Sequence, residues 1–230
     1  MAKRGKKYRK VVQKVDKARE YKLSEALSLI KNLSYSKFPG TIELHISINI
    51  PKDKDPKSIK GSVALPHAKA KKVRVAVAVP PELEEKAKEA GADIYKLDDL
   101  IKQVQEGKIN FDVLIAVPQA MPKLAPLGKV LGPRGLMPNP KSGTVTDVNN
   151  LKKTIEEFKK GKLVFKADSA GGIHVPVGKI TDKPEDVIEN IKAVISAIVS
   201  IMGRSKDYLI KRIYLAPTMG PALRVDVKDI

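Results

Sequence analysis

Thr41-Ile42-Glu43-Leu44-His45-Ile46-Ser47-Ile48-Asn49-Ile50 is the most regular stretch of the chain. Polar residues alternate with Ile or Leu at every second position. In a strand, successive side chains point to opposite faces, so this pattern predicts one buried and one wet face. Upstream, Ser24 to Leu33 reads as a helix, with Ser24 as N-cap and Leu27, Ile30 and Leu33 along one side. Phe38-Pro39-Gly40 separates that helix from the strand. Downstream, Pro51 to Lys60 is a charged loop, and Ser62 to Leu65 reads as a short strand.

Further along, the pattern changes. Val73-Arg74-Val75-Ala76-Val77-Ala78-Val79 is almost continuously apolar, as expected of a parallel strand covered on both faces. Pro81 opens a helix to Ala90, and Gly91 closes it. A short strand is expected at Asp93 to Lys96. A helix follows to Glu106, capped by Asp98 or Asp99 and ended by Gly107. Phe111 to Val117 is a second apolar strand. Strand and helix alternate here as in an α/β domain. A long loop rich in Gly and Pro, 118 to 148, leads to a helix from Asn149 to Lys160.

Alternation then returns. Leu163 to Lys166 and Ile173 to Val177 read as strands around a Gly171-Gly172 turn. Pro184 to Met202 is the longest helix, with Val187, Ile191, Val194 and Ile198 facing inward. Tyr208 to Leu215 and Leu223 to Lys228 alternate and form an antiparallel pair joined by Ala216-Pro217-Thr218-Met219-Gly220-Pro221. Two β-rich stretches thus flank one α/β stretch. The economical reading is a discontinuous domain from 1–67 and 160–230, with 68–159 inserted. A two-stranded hinge would then cross near 66–70 and 158–161. Three domains in series would give similar strings.

Composition limits the function. The chain has 230 residues, 42% of them apolar, enough for a real core. Forty-four Lys and Arg stand against 26 Asp and Glu, a net +18, which points to an anionic partner. Residues 1–22 alone carry ten Lys or Arg and two acids, either as a solvated tail or as a phosphate-contacting arm. Val11, Val12 and Val15 could lay part of that arm on the core. No apolar run is long enough to span a bilayer, and Met1 to Lys10 is not followed by a signal-peptide core. A cytoplasmic protein without membrane partners is therefore expected. There is no cysteine, and the histidines are only His45, His67 and His174, so no metal site or cofactor is expected.

Catalytic signatures fail as well. Gly128-Lys129-Val130-Leu131-Gly132-Pro133-Arg134-Gly135 suggests a phosphate loop, but no Lys-Ser or Lys-Thr follows in register. No nucleophile sits beside a marked base, so no catalytic residue is assigned. Aromatic residues are only 4%, which disfavours stacking on extended single strands. Stiff loops and small polar side chains on an exposed face suit folded RNA, read through its phosphates and 2′-hydroxyls.

Four runs carry a family resemblance. The longest is Leu131-Gly132-Pro133-Arg134-Gly135-Leu136-Met137-Pro138-Asn139-Pro140-Lys141-Ser142-Gly143-Thr144-Val145. The others are Gly61-Ser62-Val63-Ala64-Leu65-Pro66-His67, Gly172-Ile173-His174-Val175-Pro176-Val177-Gly178-Lys179 and Thr218-Met219-Gly220-Pro221. Together they resemble the ribosomal protein L-one family, the large-subunit stalk proteins beside the tRNA exit site. The opening Met1-Ala2-Lys3-Arg4-Gly5-Lys6-Lys7-Tyr8 is similar to bacterial members. The resemblance implies an α/β protein of two domains: a discontinuous α+β domain with an antiparallel sheet, and an inserted Rossmann-like α/β domain. It also implies binding to large-subunit rRNA, help in releasing exit-site tRNA, and repression of the protein's own mRNA. The protein would be a monomer within the ribosome.

The same resemblance implies an RNA-binding surface. Thr218, Met219 and Gly220 match the family's RNA-binding loop, although alone they also read as a plain hairpin turn. Phe38 matches a family contact, although such a residue is also common in cores. Thr41, Glu43 and His45 lie on the polar face of the alternating strand, where ordinary exposure is the default. Lys166, Asp168, Ser169 and His174 fall in the matching second region. There, Gly171-Gly172 departs from a family run that often has another residue between Gly and Ile. Arg134 and Lys141 read equally as contacts to RNA or tRNA phosphates and as links between the two domains.

Overall fold

The computed structural model describes residues 5–16, 18–50, 55–56, 59–67 and 73–230. Its strands are β1 (Thr41–Ile48), β2 (Lys60–Ala64), β3 (Val75–Ala78), β4 (Val113–Ala116), β5 (Lys162–Lys166), β6 (Gly172–Lys179), β7 (Ile210–Pro217) and β8 (Leu223–Val225). The fold is mixed α/β with an antiparallel sheet. Its contacts divide the chain into two compact units, Met1–Ala68 with Val164–Ile230, and Lys69–Leu163. Most of the expected Pro51 to Lys60 loop, and the expected crossing at 68–70, lie outside the described residues.

The first unit is built on a four-stranded sheet of order β6-β1-β7-β8. β1 is central and antiparallel to both neighbours. Its alternation does what the sequence requires: Ile42, Leu44, Ile46 and Ile48 are buried, while the intervening residues stay accessible. Ile173, Val175 and Val177 of β6 and Ile213 and Leu215 of β7 complete the dry face. Helices Leu23–Leu33 and Pro184–Met202 pack on the sheet and on each other. The longer one buries Val187, Ile191, Val194 and Ile198. Each fully buried Ile, Leu or Val contributes about 1.5–3 kcal/mol relative to exposure.

Some local expectations change. The first of these helices starts at Leu23, so Ser24 lies inside it, and the residue at the cap makes no side-chain hydrogen bond. Instead, the Leu23 N–H donates to Asp229 Oδ2 at 2.6 Å, from the far end of the chain. A carboxylate suits a helix N-terminus, where free N–H groups and the dipole favour negative charge. β8 is shorter than expected, and a single turn of 3-10 helix, Val227–Asp229, carries that carboxylate. In the basic arm, Lys6–Val12 is a helix with no buried residue. Val11, Val12 and Val15 are half-buried, and the Tyr8 ring meets Tyr35 edge-on.

The second unit centres on β3 and β4, which pair in parallel from Val75 opposite Val113 to Ala78 opposite Ala116. All four β3 residues are buried, as a strand covered on both faces requires. Helices Leu97–Gln105 and Leu151–Lys159 pack against β3. The strand expected at 93–96 shrinks to a single bridge, Ala76 with Ile94. Asp98 and Asp99 sit in the first turn of helix Leu97–Gln105 and do not cap it. The largest departure is the expected loop 118–148. Residues 118–131 form successive helical turns, and Ala120, Leu124, Leu127 and Leu131 are buried. Pro118, Pro122 and Pro126 mask this from sequence. Each sits at a helix-start position, where its missing N–H costs little.

Candidate nucleic-acid interface

The wet face of the four-stranded sheet follows directly from register. On β1 it carries Thr41, Glu43, His45 and Ser47. Across the β6 pairing, Lys179, Pro176, His174 and Gly172 stand opposite them. Across the β7 pairing, Ala216, Tyr214 and Arg212 stand opposite Glu43, His45 and Ser47, and Arg224 of β8 stands opposite Tyr214. Residues more than 160 positions apart thus form one surface. Pro176, Tyr214, Arg212 and Arg224 were not singled out from sequence. Period-two alternation in β7 marks Arg212 and Tyr214 as outward, but only pairing places them beside His45.

At one end of the sheet, the 218–220 loop is tied to the start of β1. The Thr218 N–H donates to Thr41 O at 2.9 Å, and the Thr41 N–H donates to Thr218 Oγ1 at 3.1 Å. The Thr218 hydroxyl lies 3.1 Å from Thr41 O and 3.2 Å from Glu43 Oε1, and donates to one of them. This hydroxyl therefore fixes the loop and orients Glu43. Its lone pairs are partly used before any ligand arrives. Gly220 also serves the fold. A Cβ there would lie 2.7 Å from Leu33 O and 2.6 Å from Pro217 Cγ. The Tyr35 N–H donates to Met219 O, which pins the loop to the segment after helix Leu23–Leu33. Met219 and Phe38 are among the few large apolar side chains left exposed, at 39% and 55%.

At the other end, Asp168 organises the tight turn before β6. Its Oδ1 accepts from the Gly172 N–H at 2.6 Å and from the Ala170 N–H at 2.9 Å. The bond from Gly172 does most to hold this carboxyl below its ordinary pKa. Those from Ala170 and His174 act in the same direction, and partial desolvation opposes them. Gly171 has φ +81°, and a Cβ there would press on Ile48 O and the Ile50 side chain, so the turn needs glycine. Ser169 is exposed in this turn, and Lys166 is exposed at the end of β5. Ala167 bridges to Ile173 and leads the chain into β6.

Between these ends, His45 and His174 meet across the β1–β6 pairing. Their Nδ1 atoms are 2.8 Å apart. His45 Nε2 lies 3.8 Å from Glu43 Oε2, and His174 Nε2 lies 3.5 Å from Asp168 Oδ2. Partial burial lowers the pKa of His45, and His174 lowers it further, while Glu43 pulls it back up.

Phe38, Thr41, Glu43, His45, Lys166, Asp168, Ser169, His174, Thr218, Met219 and Gly220 therefore all belong to the first compact unit. Arg134 and Lys141 belong to the second, where both are exposed. Lys141 follows Asn139, whose side chain accepts from the Lys141 N–H at 2.9 Å. Among the described residues, no group of three or more His, Cys, Asp or Glu side chains is placed to hold a metal ion. No helix among them is long and apolar enough to cross a membrane.

Residues 30–221 match the model of the Ribosomal protein L1p/L10e family. The chain belongs to that family. Among its relatives, the large ribosomal subunit protein uL1 of Thermosipho melanesiensis is 42% identical over 228 residues, covering 98% of this chain and 97% of the relative. The uL1 of Dehalococcoides mccartyi is 42% identical over 231 residues, covering 100% and 98%. The uL1 of Flavobacterium psychrophilum is 39% identical over 231 residues, covering the whole of both chains. Likeness to these L1 proteins therefore runs from end to end, across both compact units.

Proposed function

We propose that the protein is a structural, non-catalytic constituent of the large ribosomal subunit, binding folded rRNA through the wet face of its four-stranded sheet. End-to-end similarity to large-subunit proteins supports the ribosomal role. A single observation carries the site. Three segments far apart in sequence, 38–45, 166–174 and 218–220, converge on one sheet and its two ends. Met219 and Phe38 offer apolar contact to sugar or base faces. Lys166 meets phosphate, and Glu43 and Asp168 accept hydrogen bonds from 2′-hydroxyls or base amines. Loop and turn are already locked by internal hydrogen bonds, so little ordering is needed on binding.

In this reading the first unit is a discontinuous rRNA-binding domain and the second an inserted Rossmann-like domain. The protein acts as a monomer within a cytoplasmic ribosome. It assists release of exit-site tRNA, to which Arg134 and Lys141 contribute, and its rRNA surface represses its own mRNA by binding a mimic of the rRNA fold.

The test is binding of the full chain to a stalk fragment of large-subunit rRNA and to an unrelated RNA duplex, across salt concentrations. The expected result is a preference of about a thousandfold for the fragment, with both affinities falling as salt rises. Equal grip on both RNAs would leave only charge attraction, and the site assignment would fail.

A further inference from the structure

We propose that His45 and His174 form a one-proton site inside this interface, so that RNA binding takes up a proton. This rests on the sheet face being the RNA surface. At 2.8 Å between the two Nδ1 atoms, one ring donates and the other accepts. Doubly protonated rings would set two N–H groups against each other, so the pair holds one shared Nδ1 proton at most. In the neutral pair, only one of the two outer Nε2 atoms bears hydrogen. Adding one proton gives N–H groups at both, facing Glu43 at 3.8 Å and Asp168 at 3.5 Å. The row Glu43–His45–His174–Asp168 therefore steps between net charges of −2 and −1 without breaking the central bond.

Other groups face the pair too. Tyr214 stands opposite His45 on β7, with Arg212 opposite the adjacent outward residue Ser47. Arg224 lies beyond Tyr214 on β8 and is ion-paired with Glu20. Glu43 also takes part in the Thr218 contact. Partial burial keeps His45 below its ordinary pKa, which favours the neutral form of that ring in the free protein. A polyanion on this face raises the affinity of the row for its proton. By linkage, affinity for RNA then rises as pH falls, and the effect is largest between the free and bound pKa values. One shared proton caps the slope at tenfold per pH unit.

The sequence makes the test clean. The chain has three histidines and no cysteine, so few protein groups titrate between pH 6 and 8. His67 faces Glu189 and Asp186, away from the pair, and serves as the control. Binding of the stalk rRNA fragment is measured at pH 6, 7 and 8 for the wild type, for His67→Gln and for the double variant His45→Gln/His174→Gln. Wild type and His67→Gln should bind about three- to tenfold tighter at pH 6 than at pH 8, and the double variant should lose that gain. Calorimetry of the wild type at pH 7, in two buffers of different ionisation enthalpy, gives an independent readout even if the double variant does not fold. Net proton uptake supports the proposal, and none overturns it. Fragment-selective binding that is flat with pH sinks this inference alone. Loss of selectivity for the fragment over a duplex sinks the interface reading itself.

Discussion

β1 and β3 show how one class of residue is put to two uses. In β1, apolar side chains alternate with polar ones, so one face enters the core and the other is left to solvent and partners. In β3, every residue is buried, and nothing of the strand is offered outward. The first unit can therefore display function on its sheet. The second can display it only on loops and helix surfaces, such as the exposed Arg134 and Lys141. In an antiparallel sheet with one face packed, the other face is free to bind; in a strand covered on both faces, the core uses everything.

The sharpest way to break this contrast is to damage each core separately. Ile46→Ala in β1 and Ile115→Ala in β4 each remove a fully buried side chain and should lower stability by about 2–5 kcal/mol, read by chemical denaturation. Only Ile46→Ala should also weaken binding to the stalk rRNA fragment. Equal loss of affinity in both variants would mean that the second unit carries the interface as well.

Surface substitutions sharpen the same point. Thr218→Ala and Met219→Ala should each cost about 1–3 kcal/mol of binding free energy. Arg134→Ala and Lys141→Ala should change affinity for that fragment by less than about 0.5 kcal/mol, as surface changes outside an interface do. Fluorescence anisotropy titrations on all four would decide between the units. Gly220→Ala separates packing from contact. Its Cβ meets the Leu33 carbonyl, so it should destabilise the fold by about 1–3 kcal/mol, visible as a lowered denaturation midpoint without RNA.

The smallest effect is expected at Asp168. Its folded pKa lies below its unfolded value, so the stability it adds is complete above the unfolded pKa of about 4 and is lost as pH falls through the folded value. Asp168→Asn should lower the Tm slightly at pH 7, and the difference from wild type should close as pH falls through the lowered pKa of Asp168. A constant difference across pH would show that charge plays no part in holding this turn.

Much of the secondary structure was legible because its causes are local. Alternation marked β1, continuous apolar character marked β3, and an inward stripe marked helix Pro184–Met202, whose bounds match the expectation. Local rules failed where a distant group took over. Ser24 looked like a cap, but Asp229 fills that role from 206 residues away. The turns of 118–131 were hidden because proline reads as a breaker unless its place in the helix is known.

The candidate site divides in the same way. Glu43 and His45 were visible as outward residues of one strand. That His174 Nδ1 lies within hydrogen-bond distance of His45 Nδ1, and that Tyr214 and Arg212 flank them, depends on the β1–β6 and β1–β7 registers. Period and polarity are properties of a short segment, so sequence alone determined which faces are dry and which are wet. Which wet faces meet depends on strands more than a hundred residues apart finding one register, and only the packed core below them decides that.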